Sequence, residues 1–166
     1  MQRRSGMSET SVATSARENP VGALVDYILD HFHRPLRVDL HELVCLAEVV
    51  CEEERSHASC PHGLVEHLRD MAAALEDHLT KEERILFPLI VAGKRAQMPI
   101  RVMLDEHDDH VASLARTRVL TGGLEPPDDA SIAWLELYTR LRSLETSLAT
   151  HIRFENEILF PRALRG

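Results

Sequence analysis

HLTKEERILFP at residues 78–88 and HIRFENEILFP at residues 151–161 share one frame, His-x3-Glu-x2-Ile-Leu-Phe-Pro. His78 and Glu82 of the first copy correspond to His151 and Glu155 of the second. A spacing of four is close to one helical turn, so imidazole and carboxylate share a face with Cβ atoms about 5–6 Å apart. Neutral imidazole and carboxylate are donors suited to first-row transition metals. Two copies on two helices can enclose a pair of ions, and the Ile-Leu-Phe-Pro after each pair reads as a stop.

Outward from these motifs the chain reads as four helices. The first is expected from Asn19-Pro20, a capping residue and a first-turn proline, to about Glu54, with a bend at Pro35. Its stripe is Leu36, Leu40, Leu43, Ala47 and Val50, extended back one turn by His33. The second follows Pro61 and runs to about Ala92 before Gly93, on a stripe of Leu64, Leu68, Met71, Leu75, His78, Glu82 and Ile85. Pro99 opens the third, whose face is Ile100, Met103, His107, Val111 and Leu114, and Gly122-Gly123 end it. The fourth begins after Pro126-Pro127 with Asp128 as the expected cap. It carries Trp134, Tyr138, Leu141, Leu144, Leu148, His151, Glu155 and Ile158 to a close at Phe160-Pro161. Four amphipathic helices with short connections predict an all-α, up-down-up-down four-helix bundle over residues 19–166. Residues 1–18 are polar, have no apolar run of a secretory signal, and read as a disordered tail.

Composition narrows the function. The formal net charge is −8, which argues against a nucleic-acid partner. No apolar stretch is long enough to span a membrane. Cys45, Cys51 and Cys60 are odd in number with no C-x2-C pair, so reduced thiols and a cytoplasmic setting fit better than a disulfide framework. Cys45 and Cys51 read as small helix-packing residues.

Every helix therefore places a histidine on its inward stripe. His33, His78, Glu82, His107, His151 and Glu155 are the candidate metal ligands. A lone histidine at such a position is usually a hydrogen-bonded core residue. Six together are another matter, because each unpaired buried polar group costs about 2–7 kcal/mol. The sum would exceed the roughly 5–15 kcal/mol stability of a typical domain. Metal ions satisfy all six at once. If both carboxylates bridge, four imidazoles divide two per metal, and one solvent-derived oxo or hydroxo bridge leaves each metal an open position, as a reactive site requires.

His57 competes with His33 but lies 24 residues further on. That is about 36 Å along a continuous helix, so His33 is preferred. His31 lies off the His33 face, and His41, His62 and His67 read as surface residues. His110 is a candidate to orient a ligand. Asp105, Glu106, Asp108 and Asp109 read as a solvated acidic face from which one member could do the same. Paired Glu-x-x-His motifs of ferritin-like bundles are not matched, since only Glu54-His57 has that form.

With these residues in hand, the chain resembles the hemerythrin-like, or HHE cation-binding, domain family. The closest likeness is to its di-iron iron–sulfur cluster repair members. DYILDHFHRPLR, EERSHA, HLTKEERILFPLI, VMLDEHDDH and HIRFENEILFPRAL carry the resemblance over residues 20–164. It implies a hemerythrin-like fold and two non-haem iron ions bridged by carboxylates. It also implies repair of iron–sulfur clusters or handling of nitric oxide under stress, by iron delivery or redox chemistry. The implied partners are a small diatomic ligand, nitric oxide or oxygen, and damaged iron–sulfur proteins. Manganese and zinc fit the same donors, and redox use favours iron. The alternative is a sensing or binding module without catalysis. Two departures qualify the likeness. The N-terminal Cys-Cys domain common in repair proteins has no counterpart in the short polar stretch here. The oxygen carriers' H-x3-H and H-x4-D ligands are replaced by Val111 and Asn156, so their ligand set is incomplete.

Overall fold

The computed structural model describes residues 21–165. The expected tail over residues 1–18 and the Asn19-Pro20 helix start lie outside the described residues. Four antiparallel rods form the bundle. Helix α1 comprises Val21–Ile28, a π turn at Leu29–His33, and Arg34–Glu53. Helix α2 comprises Leu64–Lys81, a π turn at Glu82–Leu86, and Phe87–Val91. Helix α3 is Gln97–Leu120, and α4 comprises Ile132–Phe154, a π turn at Glu155–Leu159, and Phe160–Arg165. Rod α1 packs against both α2 and α4, and α3 closes the bundle mainly against α2. Among the described residues, no helix is long and apolar enough to cross a membrane.

Helix α2 ends at Val91, close to the expected Ala92, while other features at the prolines and caps differ from expectation. Pro88 and Pro161 are not stops: α2 continues to Val91 and α4 to Arg165. At Pro35 the rod likewise continues, with the π turn immediately ahead of it. Helix α3 begins at Gln97, two residues before Pro99. The cap of α4 is Ser131, whose hydroxyl accepts from the Trp134 N–H at 3.4 Å, and not Asp128. Gly93, Gly122 and Gly123 do adopt positive φ where helices end.

Two stripe positions also moved. Ile85 is 54% exposed while Leu86 is 1% exposed, because the π turn inserts a residue and advances the buried face by one. Val111 is exposed and His110 is buried, a step of three from His107 in place of four. Cys45 is exposed and so is not a packing residue, Cys51 is half-buried, and Cys60 is buried.

The core has two parts. The larger runs from the α1–α2 connection end and holds Leu43, Leu64, Leu68, Leu75, Leu79, Trp134, Tyr138, Leu141 and Leu148. The second holds Leu24, Ile28, Phe32, Leu86, Phe87, Ile100, Met103, Phe154 and Phe160. On every rod the candidate ligands fall where one part gives way to the other. His33 follows Phe32 and precedes Leu36, Glu82 lies between Leu79 and Leu86, and His107 lies between Met103 and Leu114. Leu68, fully buried in the larger part, anchors it. Leu68→Ala is expected to lower unfolding free energy by about 2–5 kcal/mol in urea denaturation.

Candidate metal centre

Each candidate ligand is at most 2% exposed. Their donor atoms fall into two overlapping groups, each with all atoms within 4.8 Å: His33, Glu82, His151 and Glu155, and His78, Glu82, His107 and Glu155. Both carboxylates belong to both groups. Glu155 Oε1 lies 3.0 Å from His151 Nε2 and 3.9 Å from His33 Nε2, while its Oε2 lies 3.1 Å from His107 Nε2. Glu82 Oε2 lies 3.3 Å from His33 Nε2 and 3.5 Å from His78 Nε2. The Nε2 atoms of His78 and His107 are 3.2 Å apart.

Two donors held about 2.0–2.2 Å from one ion at ordinary coordination angles are separated by roughly 3.0–3.5 Å. Most of these spacings are of that kind. Several of them also lack hydrogen-bond alignment. Among the described residues, nine buried side-chain polar atoms have no partner, and seven belong to His33, Glu82, His151 and Glu155. Native interiors tolerate few such atoms. Their concentration at one point fits a donor set for cations.

The outward nitrogens of three of the imidazoles are tied. His78 Nδ1 donates to Glu106 Oε2 at 2.9 Å, and Lys81 clamps the other oxygen of Glu106. His33 Nδ1 donates to Glu83 Oε1 at 2.9 Å, and Arg37 Nη1 donates to the same oxygen at 2.8 Å. His107 Nδ1 donates to Asn156 Oδ1 at 2.8 Å. These bonds hold a proton on each Nδ1 and turn the three Nε2 atoms inward, the orientation a metal ligand needs. Phe87 packs against His33, and Phe32 and Phe160 stack on His151 and His107, walling the centre with rings.

The charges are those of a site built for cations. Burial pushes Glu82 up, and the nearby Glu155 carboxylate adds to it. Burial also opposes ionisation of Glu155, but His151, His107 and His33 outweigh it and hold it well below the usual carboxylate range. His33 is pushed up to about 10, because Glu155 and Glu82 overcome the cost of burying its charge. His78 falls to about 4 through burial, despite its bond to Glu106.

The remaining histidines separate clearly. His57 lies in the connection after α1, with Nε2 3.2 Å from Asp129 Oδ1 and its ring edge-on to Trp134, remote from the centre. His31, His41 and His62 are exposed. His67, expected at the surface, is buried: its Nε2 lies 3.0 Å from both the Ser113 carbonyl and Thr117 Oγ1. His110 is buried with its ring edge-on to His78. Glu106, grouped in sequence with a solvated face, is the member that orients a histidine. Glu83, Arg37 and Lys81 lie off the inward stripes that the sequence marks. The signal for Glu83 was its place beside Glu82 on a rod facing α1.

An antiparallel four-helix bundle with two His/Glu donor groups sharing two carboxylates defines a class of cation-binding helical proteins. The chain belongs to the hemerythrin HHE cation binding domain family, whose pattern it matches over residues 24–163. It is 42% identical over 161 residues to the iron-sulfur cluster repair protein YtfE of Pectobacterium carotovorum subsp. carotovorum (strain PC1), covering 96% of this chain and 73% of that protein. The YtfE protein of Musicola paradisiaca (strain Ech703) is 43% identical over 152 residues, covering 90% of this chain and 68% of that protein. The iron-sulfur cluster repair protein DnrN of Neisseria gonorrhoeae is 40% identical over 161 residues, covering 95% and 99%.

Replacing Glu106 or Glu83 with Gln is expected to weaken metal retention about 10–100-fold in chelator competition. His57→Ala is expected to leave metal content unchanged.

Proposed function

We propose that this protein holds two iron ions between the four rods and repairs iron–sulfur clusters damaged by nitric oxide or oxidants. The observation that carries this reading is the sharing of Glu82 and Glu155 by two donor groups of equal composition. Two irons with bridging carboxylates use every one of the six donors. The names of the relatives, all iron-sulfur cluster repair proteins, point to the same task. Damaged iron–sulfur proteins are then the clients, nitric oxide or oxygen the small ligand, and the cytoplasm the place of work.

When bound, iron would supply redox chemistry, or would itself be the cargo passed to a client. His33 and His151 would hold one ion and His78 and His107 the other, with both carboxylates common to the two. The protein's own residues do the rest. Glu83 and Glu106 fix the imidazole tautomers, and the bonds of Glu83 to Arg37 and of Glu106 to Lys81 hold those carboxylates ionised. Phe32, Phe87 and Phe160 keep bulk water off the donors. Asn156 stands where oxygen carriers have an aspartate, and its Oδ1 accepts from His107 Nδ1 instead.

Protein purified without added metal is expected to contain about two irons per chain. It should restore activity to an enzyme whose cluster was destroyed by nitric oxide. Zinc as the sole metal, or no restoration by protein with both irons in place, overturns the reading. Glu82→Ala and Glu155→Ala are expected to release one or both ions, since each carboxylate is shared.

A further inference from the structure

Pro35, Pro88 and Pro161 occupy one position relative to the three π turns. Each stands two residues beyond the turn that precedes it: Leu29–His33, Glu82–Leu86 and Glu155–Leu159. In each, the residue directly before the proline donates its N–H to the carbonyl five residues back. Arg34 donates to Leu29, Phe87 to Glu82, and Phe160 to Glu155. A proline inside an α-helix offers no N–H to the carbonyl four residues back, and its ring collides with that carbonyl. The carbonyls concerned belong to His31, Arg84 and Glu157. A wider turn just ahead of the ring moves them aside.

Helix α3 serves as an internal control. Its Pro99 is the third residue of Gln97–Leu120, where the carbonyl four residues back lies outside the helix, and that helix has no π turn. The three rods with an interior proline have a π turn, and the rod without one does not.

The inserted residue decides what faces the centre. On α2 the buried face runs through Leu75, Leu79 and Glu82, then resumes at Leu86 and Phe87 with Ile85 outside. An unbroken α-helix would carry that face on to Ile85. Each residue of slip turns a side chain by about 100°. Glu82 keeps an α-helical bond to the His78 carbonyl, so with the second core part seated, loss of the extra residue would turn His78 and Glu82 together away from His33 and His107. Glu155, also first in its π turn and bonded to the His151 carbonyl, would turn together with His151 away from His33 and His107. His33 is the last residue of the turn in α1.

We propose that Pro35, Pro88 and Pro161 are positioning residues of the metal centre: they lock the π turns that bring His33, the His78–Glu82 pair and the His151–Glu155 pair into register with the donors of the other rods. This rests on reading those six residues as metal ligands.

The test compares Pro88→Ala, Pro161→Ala and, as the control, Pro99→Ala in the full chain. In metal-free protein, through-hydrogen-bond NMR couplings report the partner of each amide. In Pro88→Ala the Phe87 N–H is expected to move from the Glu82 carbonyl to that of Glu83, and in Pro161→Ala the Phe160 N–H from Glu155 to Asn156. Affinity for ferrous iron, by chelator competition, should fall at least tenfold in both. It should stay within twofold of wild type in Pro99→Ala. The metal-free thermal midpoint should not fall, since alanine is the better helix former. Unchanged five-residue bonds in both variants overturn the proposal. So does an iron affinity no lower than that of Pro99→Ala, or a loss of affinity matched by an equal loss of metal-free stability. Should wild-type protein refuse ferrous iron, the metal reading fails, and the NMR comparison alone still decides whether the prolines hold the turns.

Discussion

Two carboxylates and four imidazoles buried at one level of the bundle set the terms for the rest of the structure. Their donor atoms are dry and largely unpartnered. Taking such groups out of water is costly unless something replaces the lost hydration. Much of the surrounding architecture reads as compensation for that cost. Three of the four outward nitrogens are bonded, the two acids are drawn to opposite protonation behaviour, and aromatic rings seal the sides. An apolar core is divided above and below the polar layer so that each rod is anchored on both sides of its donor.

The fold was legible because periodicity survives wherever the helix is regular. Leu64 to Leu79 on α2 and Trp134 to Leu148 on α4 form the inward stripes that spacing predicts. The same periodicity placed His33, Glu82 and the other donors, since a polar residue in an apolar slot is conspicuous. It failed one turn later. A regular helical step of three from Glu82 points Ile85 inward, and the π turn takes a longer step. Proline reads in sequence as a terminator, yet Pro88 and Pro161 sit inside continuing helices whose hydrogen bonds have been rearranged to admit them.

The partners of the imidazoles were harder to see for a different reason. Glu106 and Glu83 each stand among other acidic residues, and nothing in local spacing distinguishes the one that meets a histidine from those in water. That choice depends on which rod lies opposite: α2 across from Glu106 and α1 across from Glu83. His67 was misplaced for the same cause. Its partners, Ser113 and Thr117, are on a neighbouring helix 46 and 50 residues away.

Burial of the donors to within 2% of complete also has a temporal consequence. A cation held by these donors would be enclosed by all four rods. Exchange must wait for the rods to part locally, as packed elements do on occasion. The lifetime of the bound state is then governed by how often the bundle breathes, and a partner that pries the rods apart could hasten unloading without competing for a single coordinating atom.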